Sequence, residues 1–336
     1  MKIIWVLILL LFLFFGCGIQ DEKEYIDNDE KKIVIDPTEY NGDNESEDLA
    51  EEGSREENAD YSEQNIKNKE NETAVEETEK SEPEELEILN FVDVFGEEYQ
   101  VPVDPGVLKH EYSDQCFIHD GYKLSYSDDA FSSRLGVDVS HHQGYIDWEK
   151  VKNDGYDFCF LRIGFRGYGK EGAVKADREF ERNAANARKA GLDVGVYFFS
   201  QAVNEEEAEE EADFVIGLLN DRELQLPVVY DPESILDDEA RTDDVTEEQF
   251  TENAVVFCSR IKEAGYDPAI YSNMLWEAYE LDLKKLEGIP IWYADYEKYP
   301  QTPYNFRYWQ YYNEAKVDGI NGVCDTDIEL IPWATE

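Results

Sequence analysis

From Leu135 onward, short apolar runs alternate with longer segments whose apolar residues recur every three or four positions. That alternation predicts strands and helices in turn, as in a parallel sheet or barrel. LGVDVS, from Leu135, is the first expected strand, and IDWEKVKNDG a short helix ending at Gly155. FCFLRIGFRG is the second strand, and ADREFERNAANARKAG a helix closed by Gly191. DVGVYFFS is the third strand, followed by an acidic helix from Asn204 to Asn220. PVVYDPE, Pro227 to Glu233, is the fourth. Thr246 and Gln249 have the spacing of a capping box and open a long helix ending at Gly265. DPAIYSN is the fifth strand, followed by the amphipathic LWEAYELDLKKLEG. IPIWYADY, FRYWQYYN and GVCDTDIEL are three further strands with little or no helix between them. The pattern therefore predicts an α/β domain over 134–336 with eight strands and about five helices.

Upstream the pattern is different. ILNFVDVFGEEYQVPVD, from Ile88, predicts a hairpin turning at Gly96 and Glu97, and GYKLSYSDD at Gly121 a further strand. Residues 88–133 are expected to form a small β appendage, in which the lone His110 and His119 are surface residues rather than ligands. Residues 18–87 have few aromatics and no sustained apolar period. Such a segment cannot bury enough surface to offset its ordering entropy, which predicts a disordered acidic tether. Met1 and Lys2 precede thirteen apolar residues, IIWVLILLLFLFF, which end at Gly16-Cys17. That run is short for a membrane span and suits a signal-peptide core. Its Gly-Cys ending resembles the lipobox of bacterial lipoproteins, in which the cysteine is acylated and becomes the new N-terminus. Residues 1–17 are thus expected to be a signal peptide with Cys17 as lipidation site. Export follows, to the outer face of the cytoplasmic membrane or into the medium.

Charge and cysteines narrow the chemistry. The formal charge is −49, the opposite of the basic footprint that nucleic acid requires. Between Gly18 and Asn90 there are 27 Asp and Glu against 7 Lys and Arg. Cys17, Cys116, Cys159, Cys258 and Cys324 are too scattered for a disulfide framework, and no CxxC pair suggests zinc. Cys159 and Cys258 read as small core residues. His141 and His142 are adjacent rather than at ligand spacing, and read as rim residues.

The candidate chemistry lies in carboxylates. Strand side chains alternate faces, so Asp231 and Glu233 point to one side, about 6.5–7 Å apart at Cα. Two acids at that spacing push one pKa up, which makes a general acid. If the strands close into a barrel, their carboxyl ends gather at one mouth. Asp138 ends strand one, Tyr197 and Phe199 strand three, and Tyr271 strand five. Trp292 and Asp295 lie on strand six, Trp309 and Gln310 on strand seven, Asp325 and Asp327 on strand eight. Each has a plainer explanation: an aromatic on a strand is usually core, and an Asp after a strand usually a cap. Acids converging with aromatic platforms are nevertheless what a neutral sugar polymer requires.

GVDVSHHQG at 136–144, the strand-four Asp-x-Glu, WYADY at 292–296, YWQY at 308–311 and GVCDTD at 322–327 resemble glycoside hydrolase family 25. The resemblance spans about Leu135 to Trp333. It implies an irregular (β/α)5β3 TIM-like barrel and a lysozyme (N-acetylmuramidase) acting between N-acetylmuramic acid and N-acetylglucosamine in peptidoglycan. Glu233 falls at the family's acid/base, Asp231 at its partner carboxylate, and Asp138 and Asp295 at two further site acids. Tyr197, Phe199, Tyr271, Trp292, Trp309, Gln310, Asp325 and Asp327 would bind the glycan. The implied mechanism is retaining, with the substrate's acetamide as the favoured nucleophile and direct attack by Asp231 as the alternative. It needs neither metal nor other cofactor, and a monomer is expected. Two other functions stay open: a wall-binding lipoprotein that has lost hydrolysis, and a chitinase-type barrel. The latter carries a longer D-x-x-D-x-D-x-E run, whose upstream aspartates are missing from Leu226 to Glu233.

Overall fold

The computed structural model describes residues 86–235 and 239–333. The expected signal peptide with Cys17, and nearly all of the expected tether, lie outside the described residues. The chain opens with two small antiparallel hairpins, β1 (Ile88–Val92) with β2 (Glu98–Pro102), and β3 (Phe117–Asp120) with β4 (Lys123–Tyr126). Gly96 takes φ 80° at the first hairpin's turn, a conformation open to glycine without a Cβ penalty.

The elements that follow are β5 (Phe131–Val139), α1 (Trp148–Asn153), β6 (Phe158–Arg166), β7 (Val174–Ala176), α2 (Phe180–Ala190), β8 (Asp193–Ser200), α3 (Glu205–Leu219) and β9 (Val228–Pro232). After them come α4 (Glu247–Glu263), β10 (Pro268–Asn273), α5 (Met274–Tyr279), β11 (Ile291–Ala294), β12 (Tyr308–Ala315) and β13 (Cys324–Pro332). β5, β6, β8, β9, β10, β11 and β12 pair in parallel, each with the next. β13 lies antiparallel between β12 and β5 and closes the ring. The result is a closed eight-stranded barrel. A loop of eight residues joins β12 to β13, enough for an antiparallel return, whereas each parallel step needs a longer crossover. β7, absent from the sequence pattern, is a three-residue edge strand on β6. β5 starts at Phe131, so one continuous strand crosses the boundary at 133/134 that the sequence suggested.

Local signals set the helix ends. Asn204 caps α3 by accepting the Glu207 N–H, and Glu205, Glu206 and Glu207 fill its first turn, where the helix dipole favours anions. Gly191 ends α2 at φ 84°. Thr246 caps α4 by accepting from the Gln249 N–H, but the Gln249 side chain donates to Asn253, so this bond alone serves the expected box.

Packing divides the barrel into an interior and an outer layer. Inside lie Phe158, Phe160, Val229, Ala269, Trp292 and Tyr308. The larger outer cluster joins the helices to the outward strand faces and takes in Phe91, Val101, Tyr112, Phe117 and Tyr126 of the appendage. Cys159 and Cys258 are buried in it, as free thiols. At the amino-terminal end of the barrel, buried Glu329 accepts hydrogen bonds from both Arg134 and Arg307. Gly136 leaves room for the ring of Phe158, its partner on neighbouring β6: a Cβ there would sit 2.2 Å from that ring. Gly136→Ala should destabilise the fold by about 1–3 kcal/mol, the usual cost of overpacking a filled core. Urea unfolding checks this, and an unchanged midpoint would contradict it.

Candidate active site

The closing strand supplies part of the site. In β13, Asp325 pairs with Asp138 and Asp327 with Gly136 across β5, while Asp327 faces Gln310 across β12. Directly opposed residues share a face, so Asp138, Gln310, Asp325 and Asp327 all point into the barrel. On the far wall Asp231 lies opposite Phe199 of β8. Glu233 follows two residues on, on the same face, with Pro232 buried between them. Asp231 is enclosed, at 2% exposure, whereas Glu233 is half-buried at the opening. Gln201 donates to the Glu233 carbonyl at 2.6 Å and is itself held by Thr242 at 3.0 Å, which fixes the backbone of the acid.

Gln310 is the hub of the cluster. Its Nε2 donates to Asp138 Oδ2 at 2.9 Å and to Asp325 Oδ2 at 3.4 Å. Its Oε1 accepts the hydroxyls of Tyr271 at 2.9 Å and Tyr296 at 2.7 Å. Trp292 Nε1 donates to Asp327 Oδ1 at 2.8 Å. Among the described residues, Asp231 Oδ1 is buried without a hydrogen-bond partner. A carboxylate oxygen that the protein leaves unpaired is an acceptor open to a substrate N–H.

Electrostatics follow from crowding. Burial, then the charge of Asp138, pushes Glu233 up to about 7, against the pull of Arg162. Burial lifts Asp138 to about 7 despite hydrogen bonds from Gln310 and Asp327. Asp231 is raised well above the usual carboxylate range by burial, then by Glu233 and Asp138, with Arg162 again opposing. Asp325 and Asp327 are raised well above it too, through burial and then Asp138.

Arg162 of β6 is pinned in place. Its Nε donates to Asp177 Oδ2 at 2.9 Å, its Nη2 lies against His141 Nδ1, and the His141 N–H donates to the same carboxylate at 3.0 Å. His141 is therefore a buried residue at 7% exposure, not the expected rim residue, because its ring is drawn under Arg162 and Asp177. His142 is exposed. The sequence offered no signal for this trio, since its members are 15–36 residues apart and meet only through the sheet.

Two expected site residues lie elsewhere, and a third is too deep to meet a sugar. Asp295 is three positions from inward-facing Trp292 and so faces outward. Its carboxylate accepts from Glu297 N, Gln301 N and the Tyr293 hydroxyl, at 2.8–3.0 Å, and organises the loop after β11. Trp309, next to inward-facing Gln310, also points out: it donates to the Asp295 carbonyl at 2.7 Å and meets Phe117 edge-on at 5.3 Å. Trp292 does face inward but is 1% exposed and stacks on Phe160 at 4.6 Å, so it floors the site and offers no face to a sugar. Accessible ring surface comes from half-buried Tyr197 and Tyr271, and from Tyr296, which the sequence reading passed over. Phe199 shares the face of Asp231 at 5% exposure.

A carboxyl raised in the folded state keeps protons that the unfolded chain has lost, so its stabilising contribution falls as pH rises between the two values. For Asp138 that contribution is complete below about 4 and is lost on passing about 7. The difference in urea stability between wild type and Asp138→Asn should therefore decline steadily from pH 4 to pH 8. A difference that grows with pH would contradict the assignment. Subtracting the variant removes groups such as Glu207, whose lowered pKa acts with the opposite sign.

Comparison with known proteins places this geometry in a family. Glycosyl hydrolases family 25 matches residues 137–320, more than half of the chain. The autolytic lysozyme of Clostridium acetobutylicum is 23% identical over 193 residues, 57% of this chain and 54% of that protein. The uncharacterized protein YegX of Escherichia coli K12 is 28% identical over 205 residues, 57% of this chain and 68% of that one. The chain thus spans about half the length of the first of these relatives. Among solved structures, the modular autolysin LytC of Streptococcus pneumoniae, in complex with a synthetic peptidoglycan ligand, aligns with a TM-score of 0.53 at 22% identity. That alignment covers 72% of this chain and 56% of LytC. The spore cortex lytic enzyme SleM of Clostridium perfringens aligns with a TM-score of 0.51 at 22% identity, covering 59% of this chain and 67% of SleM. These two likenesses speak for the barrel fold, and the family match for the domain itself: the chain belongs to glycosyl hydrolase family 25.

Proposed function

We propose that the protein is a muramidase, cleaving the β-1,4 bond between N-acetylmuramic acid and N-acetylglucosamine of peptidoglycan with retention. One observation carries this reading: an enclosed Asp231 and an open Glu233 share one face at the mouth of a family 25 barrel. We infer with it that the domain is the irregular (β/α)5β3 form of that barrel.

Glu233 enters protonated, since its crowded site holds it up to about 7. Its proton passes to the glycosidic oxygen as the bond to the anomeric carbon breaks. The substrate's 2-acetamido oxygen attacks that carbon from the opposite face and forms an oxazolinium ion. The acetamide N–H donates to Asp231 Oδ1, the oxygen the protein leaves unpaired, and the carboxylate balances the ring's positive charge. Glu233, now ionised, takes a proton from water as the water opens the oxazolinium, which restores the starting configuration. The charge of Glu233 raises Asp231, so the two carboxyls titrate together rather than independently. Arg162 favours the anion on either group, and a hydrogen bond from the bound acetamide N–H favours it on Asp231, which leaves Glu233 as the proton donor. Gln310 holds Asp138 and Asp325 through its amide. Tyr197, Tyr271 and Tyr296 offer ring edges and hydroxyls to the sugars.

Peptidoglycan lies outside the cytoplasmic membrane, and an exported, lipid-anchored monomer suits it. Residues 1–17 carry the address, with Cys17 as the acylated residue.

Glu233→Gln should lower turnover of purified peptidoglycan by about 10²–10⁴-fold while glycan binding persists, because it removes only the transferable proton. Turbidity loss and co-sedimentation read the two quantities, and turnover within a few-fold of wild type would take Glu233 out of the role. Asp231→Asn should slow the reaction without abolishing it, as an amide oxygen still accepts the acetamide N–H. Turnover at background, with a sugar ester found on wild-type Asp231 by intact mass, would show direct attack by Asp231 instead.

A further inference from the structure

The loop from β11 to β12 delivers Tyr296 to the site with no helix to support it. Connections of this kind are ordinarily the mobile part of a fold. This one is gripped from outside. Val92, the last residue of β1, donates its N–H to Gln301 Oε1 at 2.8 Å and accepts from Gln301 Nε2 at 2.9 Å. The Gln301 N–H in turn donates to Asp295 Oδ2, and the Glu297 N–H to Oδ1, so the carboxylate next to Tyr296 closes the loop that follows it. In the second hairpin, the His119 ring bonds the Lys298 carbonyl at 2.9 Å.

The same hairpin holds β12 on either side of Gln310. Trp309 and Tyr311 both point outward, away from the acids. Phe117 of β3 packs against Trp309, and the Tyr122 carbonyl accepts the Tyr311 hydroxyl at 2.8 Å. Gln310 and the Tyr296 loop are thus both anchored in residues 91–122, outside the region matched by the family. Gln310 can serve Asp138 and Asp325 only with its Nε2 turned toward them. Its orientation is set by two phenol hydroxyls that donate to Oε1, one of them from Tyr296.

We propose that the β appendage is a positioning element of the active site, acting through Gln301, Asp295 and Tyr296 to orient Gln310 against the acids. This rests on the muramidase reading. Asp295 and Gln301 are positioning residues in it, and never touch the substrate. A double-mutant cycle tests the route. Gln301→Met, of similar volume but unable to bond Val92, should lower kcat about tenfold on peptidoglycan in the full chain. In a Tyr296→Phe background the same change should cost less than about twofold, because contacting residues in one network are not additive. His119→Ala removes an exposed ring on which no core depends. It should reduce kcat in the same direction, about two- to threefold, and also fall silent beside Tyr296→Phe. An unchanged kcat in Gln301→Met, or full additivity in either cycle, would overturn the proposal. Hydrogen exchange at the 297 and 301 amides gives a readout independent of turnover: both should exchange faster in Gln301→Met, and unchanged rates would overturn the brace. If wild type fails to degrade peptidoglycan, the muramidase reading falls, while the exchange rates still judge the brace.

Discussion

Five carboxyl groups, Asp138, Asp231, Glu233, Asp325 and Asp327, crowd one end of a closed barrel, and the rest of the site answers to that repulsion. They cannot all ionise in so little water. Neutral donors satisfy some of them: the Gln310 amide serves Asp138 and Asp325, and the Trp292 indole serves Asp327. Arg162, clamped by Asp177 and His141, is the cation that acts on Asp231 and Glu233. The crowding has a topological origin. An all-parallel barrel would bring no strand's amino-terminal end to the mouth, but antiparallel β13 enters there and brings Asp325 and Asp327 with it.

The two ends of the barrel treat buried charge in opposite ways. At the amino-terminal end Glu329 sits between Arg134 and Arg307, a paired carboxylate of structural kind. At the mouth the acids outnumber the cations, and one oxygen of Asp231 has no partner among the described residues. Burying an unpaired carboxylate oxygen costs stability, so a fold that tolerates one among these acids, while pairing Glu329 fully, marks the working end. Appendage contacts belong to the same economy. The loop and strand that orient Gln310 are held from outside by Val92, Phe117, His119 and Tyr122, which leaves the mouth clear for a glycan.

Much of this was legible from periodicity. The period-two rule put Asp231 and Glu233 on one face, and helix signals such as Asn204 and Gly191 coincide with the observed ends. The same rule separates two further pairs. Trp309 and Gln310 are adjacent and cannot both face the mouth, and Trp292 and Asp295 differ by an odd number. Sequence alone could exclude one of each pair without saying which. The register of β12 against β13, with Gln310 opposite Asp327, decides the first, and Ala294 opposite Gln310 between β11 and β12 decides the second. Arg162, Asp177 and His141 were out of reach for a different reason: no local pattern links an interior strand position to a 3-10 turn and the end of an edge strand. β7 itself, three residues long, is too short to show a period.

The central claim is that Glu233 and Asp231 cleave peptidoglycan on the far side of N-acetylmuramic acid with retained configuration. Analysis of the first products released from purified peptidoglycan, by mass spectrometry for the new reducing sugar and by NMR for its anomer, tests it most directly. The account predicts reducing-end N-acetylmuramic acid appearing first as the β anomer. A new reducing end on N-acetylglucosamine, or an α anomer formed first, would contradict it.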